Sequence, residues 1–232
     1  MTPARRGGLG STLARSYVRA KVQGFFRGVW VRGEAPQGDA SVLVYANHAG
    51  FWDGFVLHEL AVAWGREPFC LVEEQNLVRF PFLARLGAFS IRPGDAGSTL
   101  ESFRYARALL ARPRAAVFIF PQGRLEPSSL RPLRLERGFE VLARRCRAQC
   151  VPLALKYAFF ESERPDALVA VGAAHGPAGT AEFATHLGAL LDEVEKSRSP
   201  DDYQRVVQGS DGPAARWERI KRHFGGRLRD TG

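Results

Sequence analysis

The run Ala115-Ala116-Val117-Phe118-Ile119-Phe120 is the feature that most restricts how this chain can fold. Six apolar residues in a row lie between Arg114 and the breaker Pro121-Gln122-Gly123-Arg124. The run is short for a helix and has no polar face, so it reads as a strand buried on both sides. Further strand-like runs occur at 42–46, 69–72, 88–91 and 150–157, with 167–171 another candidate. Helical periodicity fills the gaps at 52–64, 98–111, 135–147 and 180–196, and a stretch at 76–86 is broken at Pro81. Ser98-x-x-Glu101 reads as a capping box for the 98–111 helix. Along 180–196, Phe183, Leu187, Leu190, Leu191 and Val194 share one face. Strands alternating with helices define the expected class: an α/β layered fold, its central sheet largely parallel or mixed and flanked by helices.

In such sheets ligands gather at the carboxyl ends of strands. Three polar clusters occupy such ends: Asn47-His48, Arg92, and Gln122-Gly123-Arg124. Asp53 follows His48 by five residues. On a continuous helix residues five apart lie about 140° apart and do not meet. They converge if His48 sits in the loop and Asp53 in the first turn of the helix. An imidazole held by a carboxylate is a general base near neutral pH, whereas a capping Asp beside a surface His is the bland alternative.

Charge is concentrated at one end. The net charge is +9, and residues 1–33 carry seven basic side chains (Arg5, Arg6, Arg15, Arg19, Lys21, Arg27, Arg32) and no acidic one, which leaves about +2 for the rest. A basic end of this kind seeks an anionic partner. Val18, Val22, Phe25, Phe26 and Val29 fall on one face of a helix over 11–32. That N-terminal amphipathic basic helix either packs on its own domain or lies in a membrane interface, and the charge asymmetry favours the interface. The expected organisation is thus an interfacial helix over 1–33, a domain over 34–200, and a polar, basic tail over 201–232 with a helix at 213–224. No run of about 18 apolar residues and no secretory leader is apparent, so the expectation is a cytoplasmic protein attached peripherally to the inner face of the membrane. Cys70, Cys146 and Cys150 form no paired spacing and read as free thiols. His58, His175, His186 and His223 lack ligand spacing, so no metal is expected. A nucleic-acid partner is not expected either, since charge alone supports one and no recognition motif accompanies it.

The motifs together resemble a known family. Asn47-His48-x-x-x-x-Asp53 looks like the first signature of the glycerolipid acyltransferases, the 1-acylglycerol-3-phosphate acyltransferase-like proteins. Gly87-Ala88-Phe89-Ser90-Ile91-Arg92 is similar to their second block, Phe120-Pro121-Gln122-Gly123-Arg124 to their third, and Val151-Pro152-Leu153-Ala154-Leu155 to their fourth. Pro132 and the Arg137-Gly138 pair also fit. The resemblance implies transfer of an acyl group from acyl-CoA or acyl-carrier protein, as co-substrate and without a cofactor, to a hydroxyl of a lipid such as a lysophospholipid. It implies His48 as general base and Asp53 as its orienting carboxylate. Asn47, Arg92, Gln122, Gly123 and Arg124 would line the substrates, the arginines holding a phosphate. Three departures stand out: Gly50 where Ser is usual, Gln122 where Glu is usual, and Arg124 directly after Gly123, with Leu125 at the usual Arg position. They bear on the acceptor more than on acyl transfer. An inactive lipid-binding protein of the same fold, or a thioesterase using water, remains the alternative.

Overall fold

The structure, a computed structural model, describes residues 1–160, 162–213 and Trp217. Helix α1 (Gly8–Phe25) leads into strand β1 (Gly28–Arg32), followed by β2 (Val42–Ala46), α2 (Asp53–Ala63) and β3 (Glu67–Glu73). Two short helices, α3 (Glu74–Arg79) and α4 (Leu83–Leu86), precede β4 (Ala88–Ile91), α5 (Ala96–Leu110) and β5 (Ala115–Ile119). The chain continues through α6 (Arg137–Cys146), β6 (Gln149–Ala158), β7 (Asp166–Val171), α7 (Thr180–Lys196) and β8 (Gln204–Gln208).

One eight-stranded sheet runs β4-β3-β5-β2-β6-β7-β1-β8. The first five strands of that order are mutually parallel; β7 is antiparallel to β6, β1 is parallel to β7, and β8 is antiparallel to β1. All five residues of both β2 and β5 are buried, as expected of central strands covered on both faces. Side chains alternate across the sheet. Val42, Val44, Ala116, Phe118, Val151, Leu153 and Leu155 join a core with Val18 and Val22 of α1 and Val56, Leu57 and Leu60 of α2. Leu43, Tyr45, Val117, Ile119 and Ala154 face the other way, onto Leu109 of α5, Leu142 of α6 and Leu187 and Leu191 of α7. The sheet is therefore mixed and layered between two sets of helices.

Several local expectations are corrected. The helix expected over 11–32 ends at Phe25, and Val29 lies instead in β1, paired with Ala167 of β7 and Val207 of β8. Gly28 and the β-branched Val29 and Val31 suit a strand better than a helix once edges are available on both sides. Residues 1–33 are thus no appendage: Val18, Val22 and Phe26 are buried in the shared core. The 201–232 segment is likewise not all tail, since β8 closes the sheet edge. The helix expected over 213–224 falls on residues of which only Pro213 and Trp217 are described, and His223 lies outside them. Asp95, not Ser98, caps α5: its carboxylate accepts from the Ser98 N–H at 2.9 Å. The Ser98 hydroxyl is taken by the Arg92 N–H.

The basic excess at the start is partly neutralised inside the fold. Arg19, Arg27 and Arg32 pair with Glu59, Asp166 and Glu193. Asp166 is fully buried and also accepts from Trp30 Nε1, which ties β1 to the start of β7.

Candidate active site

β2 ends in the middle of the sheet, flanked by β5 and β6, so whatever follows Ala46 emerges at the carboxyl edge of three parallel strands. Asn47 comes first. Its side-chain amide continues the β2–β6 pairing: Nδ2 donates to the Leu155 carbonyl at 3.0 Å and Oδ1 accepts from the Leu155 N–H at 2.7 Å. Both polar ends are used on backbone and the residue is 1% exposed, so Asn47 anchors the loop and does not face a substrate.

His48 follows in the loop, and α2 begins at Asp53, which is the arrangement that lets the two side chains meet. His48 Nδ1 lies 2.7 Å from Asp53 Oδ2. Asp53 is completely buried and its charge is met from three sides. Oδ2 also accepts from the Gly50 N–H at 3.0 Å, and Oδ1 accepts from the Tyr157 hydroxyl at 2.6 Å. Burial first, then the charge and hydrogen bond of Asp53, raise Tyr157 well above the ordinary phenol range, so it remains a donor. With Asp53 acting as acceptor, His48 Nδ1 carries a proton and Nε2 carries the lone pair. Nε2 has no hydrogen-bond partner among the described residues. The ring lies flat on Phe120, centroids 4.3 Å apart and planes 16° apart, which fixes its orientation.

The third cluster holds the other side of His48. Phe120 to Gly123 form a tight turn in which Gly123 takes φ 68°, a left-handed conformation that suits glycine. Gln122 is buried, and its Oε1 accepts from the His48 backbone N–H at 2.8 Å. Its Nε2 donates to Glu126 Oε2 at 2.6 Å, while the Glu126 N–H donates to the His48 carbonyl at 2.8 Å. Arg124 projects outward, 67% exposed, with Nε 2.7 Å from Glu126 Oε1. Hydrogen bonds from Arg124, and secondarily from Gln122, hold the Glu126 carboxyl below the usual range. Gln122 thus links the His48 backbone to the Glu126 carboxylate.

Arg92 is placed differently. It follows β4, the edge strand, with β3 and β5 between it and β2, about 14 Å away at ordinary strand spacing. Its guanidinium faces Glu74 at 3.6 Å and Asp95 at 3.2 Å and is half exposed. The preceding block has a structural reason of its own, since Gly87 takes φ 108° and a Cβ there would stand 2.2 Å from the Pro68 carbonyl oxygen. The structure thus gathers His48, Asp53, Asn47, Gln122, Gly123 and Arg124, and leaves Arg92 on the same edge without contact to them.

Sequence reasoning missed Tyr157, Glu126 and Phe120 as parts of this site. Tyr157 ends the apolar run after the fourth block, and Glu126 follows Gln122 by four residues; neither position is distinctive without the fold.

Aromatic rings cluster beside the loop between His48 and Asp53. Phe51 is 63% exposed and contacts Trp52, Phe55 and Phe80; Phe82 continues the band to Tyr17 of α1, and Phe25 at the end of α1 stacks on Trp52 at 4.4 Å. On α1 itself Leu9, Leu13 and Tyr17 form an exposed stripe, distinct from the buried Val18–Val22 face. No helix among the described residues is long and apolar enough to cross a membrane.

Comparison with known proteins bears on the family and the fold. A family model described as Acyltransferase matches residues 28–156, more than half of the chain and spanning all four motif blocks. Among solved structures, the 1-acyl-sn-glycerophosphate (LPA) acyltransferase PlsC from Thermotoga maritima is similar in fold, with a TM-score of 0.59 at 13% identity, covering 82% of this chain and 81% of that one. No curated protein matches the chain in sequence.

Proposed function

The chain belongs to the acyltransferase family, and from that membership we propose that it moves a fatty acyl group from a thioester to a hydroxyl of a lipid. The donor is acyl-CoA or acyl-carrier protein, and the acceptor is a lysophospholipid or a related lipid. The observation that carries this reading is the buried Asp53 bonded to His48 Nδ1, with Nε2 unpartnered among the described residues and a band of aromatic rings beside the loop.

In this mechanism Nε2 takes the proton of the acceptor hydroxyl as its oxygen attacks the thioester carbonyl carbon. The imidazolium is held by Asp53, whose charge Tyr157 and the Gly50 N–H keep in place. The tetrahedral adduct then collapses, the C–S bond breaks, and the leaving thiolate takes the proton back from His48. The step needs no enzyme thiol, and burial pushes Cys70 and Cys150 up to about 12 and raises Cys146, which disfavours a thiolate at each. Arg124 is the nearer candidate for a phosphate of the acceptor or donor, exchanging its bond to Glu126 for one to the ligand. Arg92 suits a more distant phosphate. The exposed α1 stripe and the aromatic band, with arginines beside them, support attachment to an anionic membrane face.

Labelled acyl-CoA with a panel of lysolipids tests this. Transfer should fall about 10²- to 10⁴-fold in His48→Ala and strongly in Asp53→Asn. Undiminished transfer by His48→Ala would overturn the mechanism. Release of free acid without an acceptor would mean a thioesterase, and saturable lipid binding without turnover would mean a binding protein.

A further inference from the structure

A second cluster of cationic side chains lies at the opposite edge of the sheet from His48. Glu67 and Phe69 belong to the first half of β3, and Arg112 follows α5 just before β5 begins. Here Arg6, Arg15, Arg85 and Arg112 line a cleft of about 370 Å³, with Glu67 the one carboxylate among the described lining residues. The site is built. Arg6 Nη1 donates to the Pro68 carbonyl at 2.7 Å, and Arg112 pairs with Glu67 at 2.6 Å. The Arg6 and Arg112 guanidiniums both lie over the buried Phe69 ring, at 5.2 and 5.3 Å. Arg15 of α1 and Arg85 of α4 complete the wall, and neither has an acidic partner within ion-pair distance among the described residues. Burial lowers the Arg6 guanidinium from its ordinary value; Glu67 opposes this, and Arg15 and Arg112 add to it. Four guanidiniums against one carboxylate repel one another unless an anion enters.

The chemistry best matched by converging guanidiniums is a phosphate, which accepts bidentate hydrogen bonds. The surroundings choose its source. Gly8, Thr12 and Arg15 of α1 line the cleft, while Leu9 and Leu13 on the same two turns are 84% and 70% exposed. An apolar stripe bordering a basic cleft is complementary to a lipid surface, acyl chains beside headgroup. Helix α1 has 18 residues, about 27 Å, and ends at Phe25 against Trp52 beside the active-site loop. Lying along a membrane, it would bring this cleft and the aromatic band beside the active-site loop to the same plane.

We propose that the cleft of Arg6, Arg15, Arg85 and Arg112 binds the phosphate of an anionic phospholipid headgroup, distinct from the acceptor site. The proposal rests on the peripheral-membrane part of the proposed function, and it is independent of the chemistry at His48.

Co-sedimentation of the full chain with phosphatidylcholine vesicles, with and without phosphatidylglycerol, tests it. Arg15→Gln with Arg85→Gln should weaken binding to anionic vesicles by well over the roughly fivefold per cation that a diffuse basic surface gives, with little change on neutral ones. Arg5→Gln with Lys21→Gln removes the same charge from outside the cleft and should cost only that diffuse amount. Leu9→Ser with Leu13→Ser should weaken binding to both vesicle types. Acyl transfer to detergent-dispersed lysolipid should be unchanged in the cleft variants, so failure of transfer and failure of headgroup binding are read separately. Equal losses for the two charge pairs, or no preference of the unaltered chain for anionic vesicles, would overturn the proposal. Saturable binding of sn-glycerol 3-phosphate in solution that does not compete with vesicles would assign the cleft to a free phosphate instead and refute the lipid.

Discussion

Replacing Asn47 by alanine should unfold the site from behind without touching a reacting atom. Asn47 satisfies both the N–H and the C=O of Leu155, a residue with no exposed surface. Alanine removes both partners and leaves two buried backbone groups without hydrogen bonds. Each such group costs about 1–3 kcal/mol, so the loss should be about 2–6 kcal/mol. In a chain of this length 1 kcal/mol moves the melting midpoint by about 2–4 °C, which predicts a drop of about 4–24 °C. Asn47→Asp is the informative companion. Its carboxylate can still accept from the Leu155 N–H, yet it turns a second oxygen toward the Leu155 carbonyl, so it should be no better than alanine near neutral pH. Thermal unfolding followed by circular dichroism, with turnover measured at matched folded fraction, checks both. Turnover should fall because His48 is the next residue, while the KM for acceptor changes little. If Asn47→Ala melts within about 2 °C of the unaltered chain and raises KM instead, the amide meets substrate and the anchoring role is wrong.

Gln122→Glu introduces the residue usual in the third block but should destabilise the loop that holds His48. The new carboxylate would face Glu126, whose Oε2 now accepts from Gln122 Nε2 at 2.6 Å. Two carboxylates so placed share a proton, which raises one of them above its unfolded value. The variant should then match the unaltered chain below about pH 4 and lose urea resistance steadily as pH rises above that, and adding Glu126→Gln should remove the pH dependence. A constant difference across pH would refute the Gln122–Glu126 assignment. Thiol reagents give an independent check on burial: Cys150, buried and pushed up to about 12, should stay unmodified near pH 8 until the chain unfolds, while the partly buried Cys70 should react slowly. Rapid native labelling of Cys150 would mean that the core against α6 opens.

Much of the architecture was readable because it is written locally. A strand buried on both faces must be apolar at every position, so β2 and β5 stood out as uninterrupted runs. The 3.6-residue period did the same for α7: of the face read from the sequence, Phe183, Leu187, Leu191 and Val194 are buried and Leu190 is partly buried. Where two elements offer similar burial, local reading failed. Val29 continues the helical face of Val18 and Val22 in sequence, yet it pairs in the sheet because β7 and β8 supply edges that no local pattern announces.

The chemical site divides along the same line. The sequence by itself determined that an imidazole and a carboxylate stand at a strand end with a spacing that permits contact across a loop–helix junction, and that Gln122-Gly123-Arg124 ends a neighbouring kind of strand. Only the tertiary structure decided what holds them. Tyr157 reaches Asp53 across 104 residues and Gln122 reaches the His48 backbone across 74. It also separated Arg92 from Arg124, because strand order, which no residue encodes alone, set β3 and β5 between β4 and β2. Local pattern selects the elements, but packing eight strands into one sheet selects their neighbours, and a catalytic site is made of neighbours.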